Sequence, residues 1–154
     1  MADLTITVTL SGGETLLSVD AAALVRQVGN KLALAAAQSV IDTATPNVPV
    51  DRGLLKSSGH AAPTSDGAVA QYDVPYAADV EKGTPPHDVA LEELQGWAQR
   101  HGIPAALVRD AIAKRGTRAQ PYFDPAVTVV RGQLPDMAAD AVNELRTAFT
   151  GASQ

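Results

Sequence analysis

Gly116-Thr117-Arg118-Ala119-Gln120-Pro121-Tyr122-Phe123-Asp124-Pro125-Ala126 is the stretch from which the rest of this chain can be organised. Its first residue reads as a helix stop and its last three as a helix start. Gly116 follows an apolar-periodic segment, where glycine commonly ends a helix. Asp124-Pro125 reads as an N-cap followed by proline in the first turn, where the missing amide does no harm. Tyr122 and Phe123 form an apolar pair that can staple the start of the next helix, a role assigned here to Phe123. The stretch is therefore an anchored, proline-bracketed loop between two helices.

After the loop, Val127, Val130, Leu134, Met137, Ala141, Leu145 and Ala148 recur at three-four spacing and predict a long last helix. Pro135 is expected to kink it, because it removes one amide donor and crowds the carbonyl of Arg131. Residues 150–154 read as a polar tail. Before the loop, Pro104 opens a helix with Leu107, Val108, Ala111 and Ile112 inward. Ahead of that, Asp88 is placed to cap a helix over about residues 89–101, with Leu91, Leu94 and Trp97 inward and Gly102 as its stop. The two form a helical hairpin.

The first half contains the strands. Residues 4–10 alternate Leu4, Ile6, Val8 and Leu10 with threonines, the pattern of a half-buried strand. Residues 11–14 read as a turn and 15–19 as a short second strand. Asp20 reads as the N-cap of a helix over about residues 21–43, with Leu24, Val28, Leu32, Ala35 and Ala36 on its inner face. Thr45-Pro46 ends it, since the residue before proline avoids the helical region. Pro49-Val50-Asp51-Arg52-Gly53-Leu54 is a turn in which Asp51 can accept the amides of Gly53 or Leu54, while Leu54 and Leu55 anchor the short helix that follows. Residues 59–64 and 68–74 form a strand pair around Ser65-Asp66-Gly67, and Pro63 marks the first as irregular or at an edge. Tyr76-Ala77-Ala78-Asp79-Val80-Glu81-Lys82-Gly83-Thr84 holds a short helix over residues 75–82 with Tyr76 and Val80 on one face and Gly83 as its stop. Asp79 and Glu81 point elsewhere, and Thr84-Pro85-Pro86-His87 is loop.

These elements predict one α+β domain over residues 1–154. A small, mostly antiparallel sheet packs on a long N-terminal helix and a kinked C-terminal helix, with the two-helix hairpin inserted. The 154 residues suffice for a real core, much of it alanine. The formal net charge of -5 and the lack of a basic run argue against binding driven by phosphate neutralisation. With no cysteine there is neither a disulfide framework nor a thiolate metal site. Met1-Ala2-Asp3-Leu4 lacks the basic start and apolar core of a signal peptide, so no export leader is expected. No apolar stretch is long enough to span a bilayer, and no membrane association is expected.

Catalytic signatures are missing. His60, His87 and His101 do not stand at zinc spacing. Asp79 and Glu81 are two apart on a helix and do not face one another, which argues against an acid–base pair. There is no nucleophile elbow, phosphate loop or dinucleotide fingerprint. The expectation is a protein without enzymatic activity, cofactor or metal; a small hydrolase is the least favoured alternative. Residues 91–116 also read as helix, turn, helix, so a DNA-binding regulator is a second alternative, with Arg109, Lys114 and Arg115 on or beyond the second helix. Asp110, Glu92, Glu93 and the overall acidity weigh against it.

In order and spacing, three phrases, the first over residues 49–54, the second over 76–84 and the third over 116–126, resemble the small neck or tail-completion (head–tail joining) proteins of long-tailed bacteriophages, over roughly residues 24–149. Those proteins show a similar Pro-x-Asp-x-Gly-x-Leu phrase after a long first helix, and a similar Gly-x-x-x-x-Pro-aromatic-Phe/Leu-x-Pro-Ala phrase near the last one. An aromatic often precedes the glycine that matches Gly83, where this chain has Lys82. The resemblance marks Pro49, Asp51, Gly53, Leu54, Tyr76, Gly83, Thr84, Gly116, Pro121, Phe123 and Pro125 as structural motif residues. It implies subunit contacts through Thr84, Pro85, Pro86 and His87 and through Thr117, Arg118, Ala119 and Gln120. It further implies a structural virion protein at the head–tail junction, made in the host cytoplasm and assembled as a six- or twelve-fold ring with other neck and tail proteins. DNA would only pass through the channel. A tail terminator that caps the tail tube is the nearest alternative within this class.

Overall fold

The computed structural model describes residues 4–6 and 19–151. In chain order the elements are β1 (Leu4–Ile6), α1 (Val19–Ala44), a 3-10 turn (Thr45–Asn47), α2 (Leu54–Ser57), β2 (Gly59–Thr64), β3 (Gly67–Tyr72), α3 (Ala77–Lys82), α4 (Leu91–His101), α5 (Ala105–Arg115) and α6 (Phe123–Gly151). The fold is α+β. The expected turn at 11–14 and the strand at 15–19 lie outside the described residues, apart from Val19, which is already helical. Asp20 therefore stands inside α1 rather than ahead of it.

The sheet is antiparallel with strand order β1-β3-β2. β3 is central, so Pro63 sits on an edge strand, where a missing amide is tolerated. Thr64 pairs with Gly67, which leaves Ser65-Asp66 as a two-residue hairpin loop. β3 alternates as its sequence predicts: Ala68, Ala70 and Tyr72 are buried, with Val69 and Gln71 between them less so.

α1 lies across this face. Its buried residues are Ala21, Val28, Ala33, Ala36, Ala37, Val40, Ile41 and Ala44. Ala33 and Ala37 replace Ala35, which is exposed, on the expected inner face. Alanines at full burial on α1 and β3 let helix and sheet backbones come close, which is how a chain with few aromatics closes its core. The larger volume comes from Tyr72, Tyr122 and Phe123. Tyr122 meets Tyr72 edge to face at 5.1 Å, and Phe123 does so at 6.1 Å. The hydroxyl of Tyr72 reaches Thr45 Oγ1 at 2.9 Å.

α6 runs antiparallel along α1, with Ala126 and Val130 in the core and Lys31 paired to Glu144 at 2.9 Å further out. It remains one helix through Pro135 and is still helical at Thr150 and Gly151, where a polar tail was expected. α4 and α5 form the expected hairpin, but their apolar residues are less covered than the periodicity implied. Trp97 is 37% and Leu107 62% exposed, and only Ala98 of the two helices is buried.

Burial pushes the Tyr122 hydroxyl up to about 12, with the nearby Glu81 carboxylate adding to the effect; burial also raises Tyr72. Neutral phenols therefore favour the folded state. Their contribution is fully present below pH 10 and is lost as pH rises towards about 12, because the unfolded chain gives up these protons first. Thermal melts should fall in this alkaline window, and Tyr122→Phe should flatten part of the fall.

Candidate functional site

The second and third phrases meet in space, and a carboxylate joins them. Glu81, in the last turn of α3, is 2% exposed. Its Oε2 accepts the amides of Tyr122 at 2.8 Å and Phe123 at 2.9 Å, and its Oε1 accepts that of Asp124 at 3.0 Å. A helix leaves its first four amides without intrahelical partners. With α6 starting at Phe123, those belong to Tyr122, Phe123, Asp124 and Pro125, and Pro125 has none. Glu81 thus satisfies every orphan donor of the first turn, and its charge lies at the positive end of the helix dipole.

This corrects two readings. Asp124 is not the N-cap; it is the second residue of α6, and Pro125 the third. Phe123 does not staple the helix start but is buried against Tyr72. Glu81, read from the sequence only as pointing away from the Tyr76–Val80 face, is the cap. Its partners lie at least 41 residues away, so no local pattern signals it. Tyr76 stands one helical turn before Val80, whose amide bonds its carbonyl, and is 42% exposed.

A backbone clasp lies beside the cap. Thr84 and Thr117 exchange amide-to-carbonyl bonds at 3.2 and 3.1 Å, and their hydroxyls meet at 2.9 Å. Gln120 donates its amide to the Val80 carbonyl at 2.9 Å. Gly83 and Gly116 flank the clasp, both at φ 70°. A Cβ on Gly83 would overlap the Thr117 carbonyl oxygen, and one on Gly116 would overlap that of Thr84. Both the conformation and the close approach therefore require glycine. The clasp brings the two loops implied as subunit contacts together. Thr84 and Thr117 are spent on each other, whereas Pro85, Pro86, His87, Arg118, Ala119 and Gln120 are exposed, as is Pro121. Arg118 has no ion-pair partner among the described residues.

The first phrase is tied elsewhere. Pro49 leads into the turn, and Gly53 has φ 79°. Asp51 does not accept the amides of Gly53 or Leu54, and α2 has no side-chain cap. Its carboxylate instead takes the Arg100 guanidinium through both oxygens, with Nε at 2.9 Å, and lies 3.3 Å from His101 Nε2. The Arg100 hydrogen bonds hold its carboxyl below the usual range, with His101 adding to this, and Asp51 in turn raises Arg100. Leu55 anchors α2, while Leu54 is 50% exposed. Asp88 does not cap α4, whose N-cap is Ala90.

His60 lies near Ser58, Gln71 and Asp73, His87 contacts the Pro85 carbonyl, and His101 stacks on Trp97. Among the described residues no three His, Asp or Glu side chains gather where a metal ion could be held. No helix among them is long and apolar enough to cross a membrane. In the α4–α5 hairpin, Arg100 and Arg109 are bonded to Asp51 and Asp110. These contacts tie one segment of the chain to another and leave loops on the surface. No family profile, curated protein or solved structure matches this chain.

Removing the cap leaves three amides beside a buried ring cluster, so Glu81→Ala should cost about 2–4 kcal/mol in denaturant unfolding. Glu81→Gln, which keeps two acceptor lone pairs, should cost less. Gly116→Ala should be comparably disruptive, and Asp124→Ala nearly silent.

Proposed function

We propose that this chain is a structural component of the neck of a long-tailed bacteriophage particle, one subunit of a ring that joins capsid to tail around the DNA channel. The observation that carries the reading is the interlock of the second and third phrases. Their order and spacing carry the resemblance to neck proteins, and the clasp supplies a physical reason for that spacing. Glu81, Gly83 and Thr84 must meet Gly116, Thr117 and residues 122–124.

The clasp presents Pro85, Pro86 and His87 beside Arg118, Ala119 and Gln120 as one exposed, proline-containing surface. Stiff loops on a rigid base lose little entropy on docking. Contacts of this size are weak singly and add up around a closed ring. The neighbours in this reading are further copies and other neck and tail proteins, met first in the host cytoplasm. A net charge of -5 suits a wall past which DNA slides without being held.

Deleting residues 117–120 would remove half the clasp and unfold the junction, so point changes make the better test. Arg118→Glu combined with His87→Ala should leave the circular dichroism spectrum and melting of the isolated chain unchanged. In infected cells the same variant should leave unjoined heads and tails; normal particles would reject the loops' role. Electron microscopy of particles should place the protein at the head–tail junction, and its absence from the virion would reject the neck reading itself.

A further inference from the structure

We infer that the α4–α5 hairpin is a hinged arm, pinned at its base by the Thr84–Thr117 clasp and held against the body by a reversible latch in which Asp51 grips Arg100 and His101. The inference concerns the isolated chain and is independent of the neck reading.

Packing is the first ground. The buried core draws on α1, β3, α3, α6, Val48, Leu55 and Tyr122, and takes nothing from α4 or α5. α5 has no buried residue and α4 only Ala98; the two helices pack mainly on each other. A pair of 11-residue helices is marginal by itself, so its position depends on how it is tied down. Sections with few buried contacts open at free energies well below that of global unfolding.

The ties are of two kinds. At the base, residues 85–116 leave and rejoin the body at one point, where Thr84 and Thr117 pair and Gly83 and Gly116 allow no side chain between them. That point ties both ends of the arm together, so the arm moves about it as a unit. At the other end, the last turn of α4 reaches the turn before α2 through Arg100 and His101, which share the Asp51 carboxylate. A two-pronged guanidinium–carboxylate pair defines one closed geometry. Its side chains are 39% and 31% exposed, so water competes for it and the contact is reversible.

Closure also composes a surface. Val50 and Leu54 flank Asp51 in the turn, and Trp97 and Ile103 flank Arg100 and His101 on the arm; all four are at least 37% exposed. The latch holds these two apolar pairs in one neighbourhood, and release parts them. The arm thus has two states that present different surfaces. Trp97 is the chain's only tryptophan, and its ring lies 4.2 Å from that of His101, so it reports directly on the latch.

The test compares the intact chain with Asp51→Ala, Arg100→Gln and the double variant, by hydrogen exchange and Trp97 fluorescence. Each single change should speed amide exchange several-fold across residues 91–115 and shift Trp97 emission to the red. Exchange in α1, β3 and α6 should stay as in the parent. The double variant should loosen the arm no more than Asp51→Ala alone, because that change already removes both contacts of the latch. Unchanged exchange in residues 91–115 would overturn the latch. So would a rise spread evenly through α1 and α6, or additive loosening in the double variant.

Discussion

A buried carboxylate that must find three amides is the constraint on which this fold depends. Glu81 is nearly inaccessible, and burying a charge without partners is costly. The first turn of α6 has orphan donors that are equally costly to bury. Each problem solves the other, but only if α3 ends against the start of α6. That contact sets Tyr122 and Phe123 against Tyr72, which fixes α6 over the sheet and along α1. Hydrogen bonds to a charged group are worth more than neutral ones and need defined geometry. The cap therefore contributes both stability and register.

The clasp extends the same logic to the backbone. Two glycines at φ 70° let two strands of chain touch where any Cβ would collide. The Thr84–Thr117 pair then closes an excursion of more than thirty residues that contributes nothing to the core. The molecule divides into a body organised by alanine-lined packing and the Glu81 cap, and an arm organised by its own hairpin and a surface ion pair. The exposed residues 85–87 and 118–120 lie at the seam between them.

Much of this architecture was legible in the sequence because it rests on local rules. Period-two alternation gave β3, and three-four spacing gave α1 and α6. Proline and glycine positions gave the ends of α1, α3, α4 and α5, and Pro63 gave the edge strand. These signals act within a few residues, and tertiary structure did not overrule them. Apolar periodicity was a poorer guide in the arm, where Trp97 and Leu107 follow the pattern and still remain exposed. A helix pair with no core to face has nothing to cover its apolar stripe.

What the sequence by itself determined is therefore the helices, the β2–β3 hairpin, their order and the α+β class. The tertiary structure alone decided the roles of the charged residues. Asp51, Asp88 and Asp124 each stood where a local cap was chemically reasonable, and none serves as one. Glu81 carries no local sign of its role and is the cap. The physical reason is that a cap or an ion pair needs only a few ångströms of approach. When the fold brings a distant donor closer than a neighbouring one, Coulomb attraction and desolvation select the distant partner, and nothing in a short window of sequence records that choice.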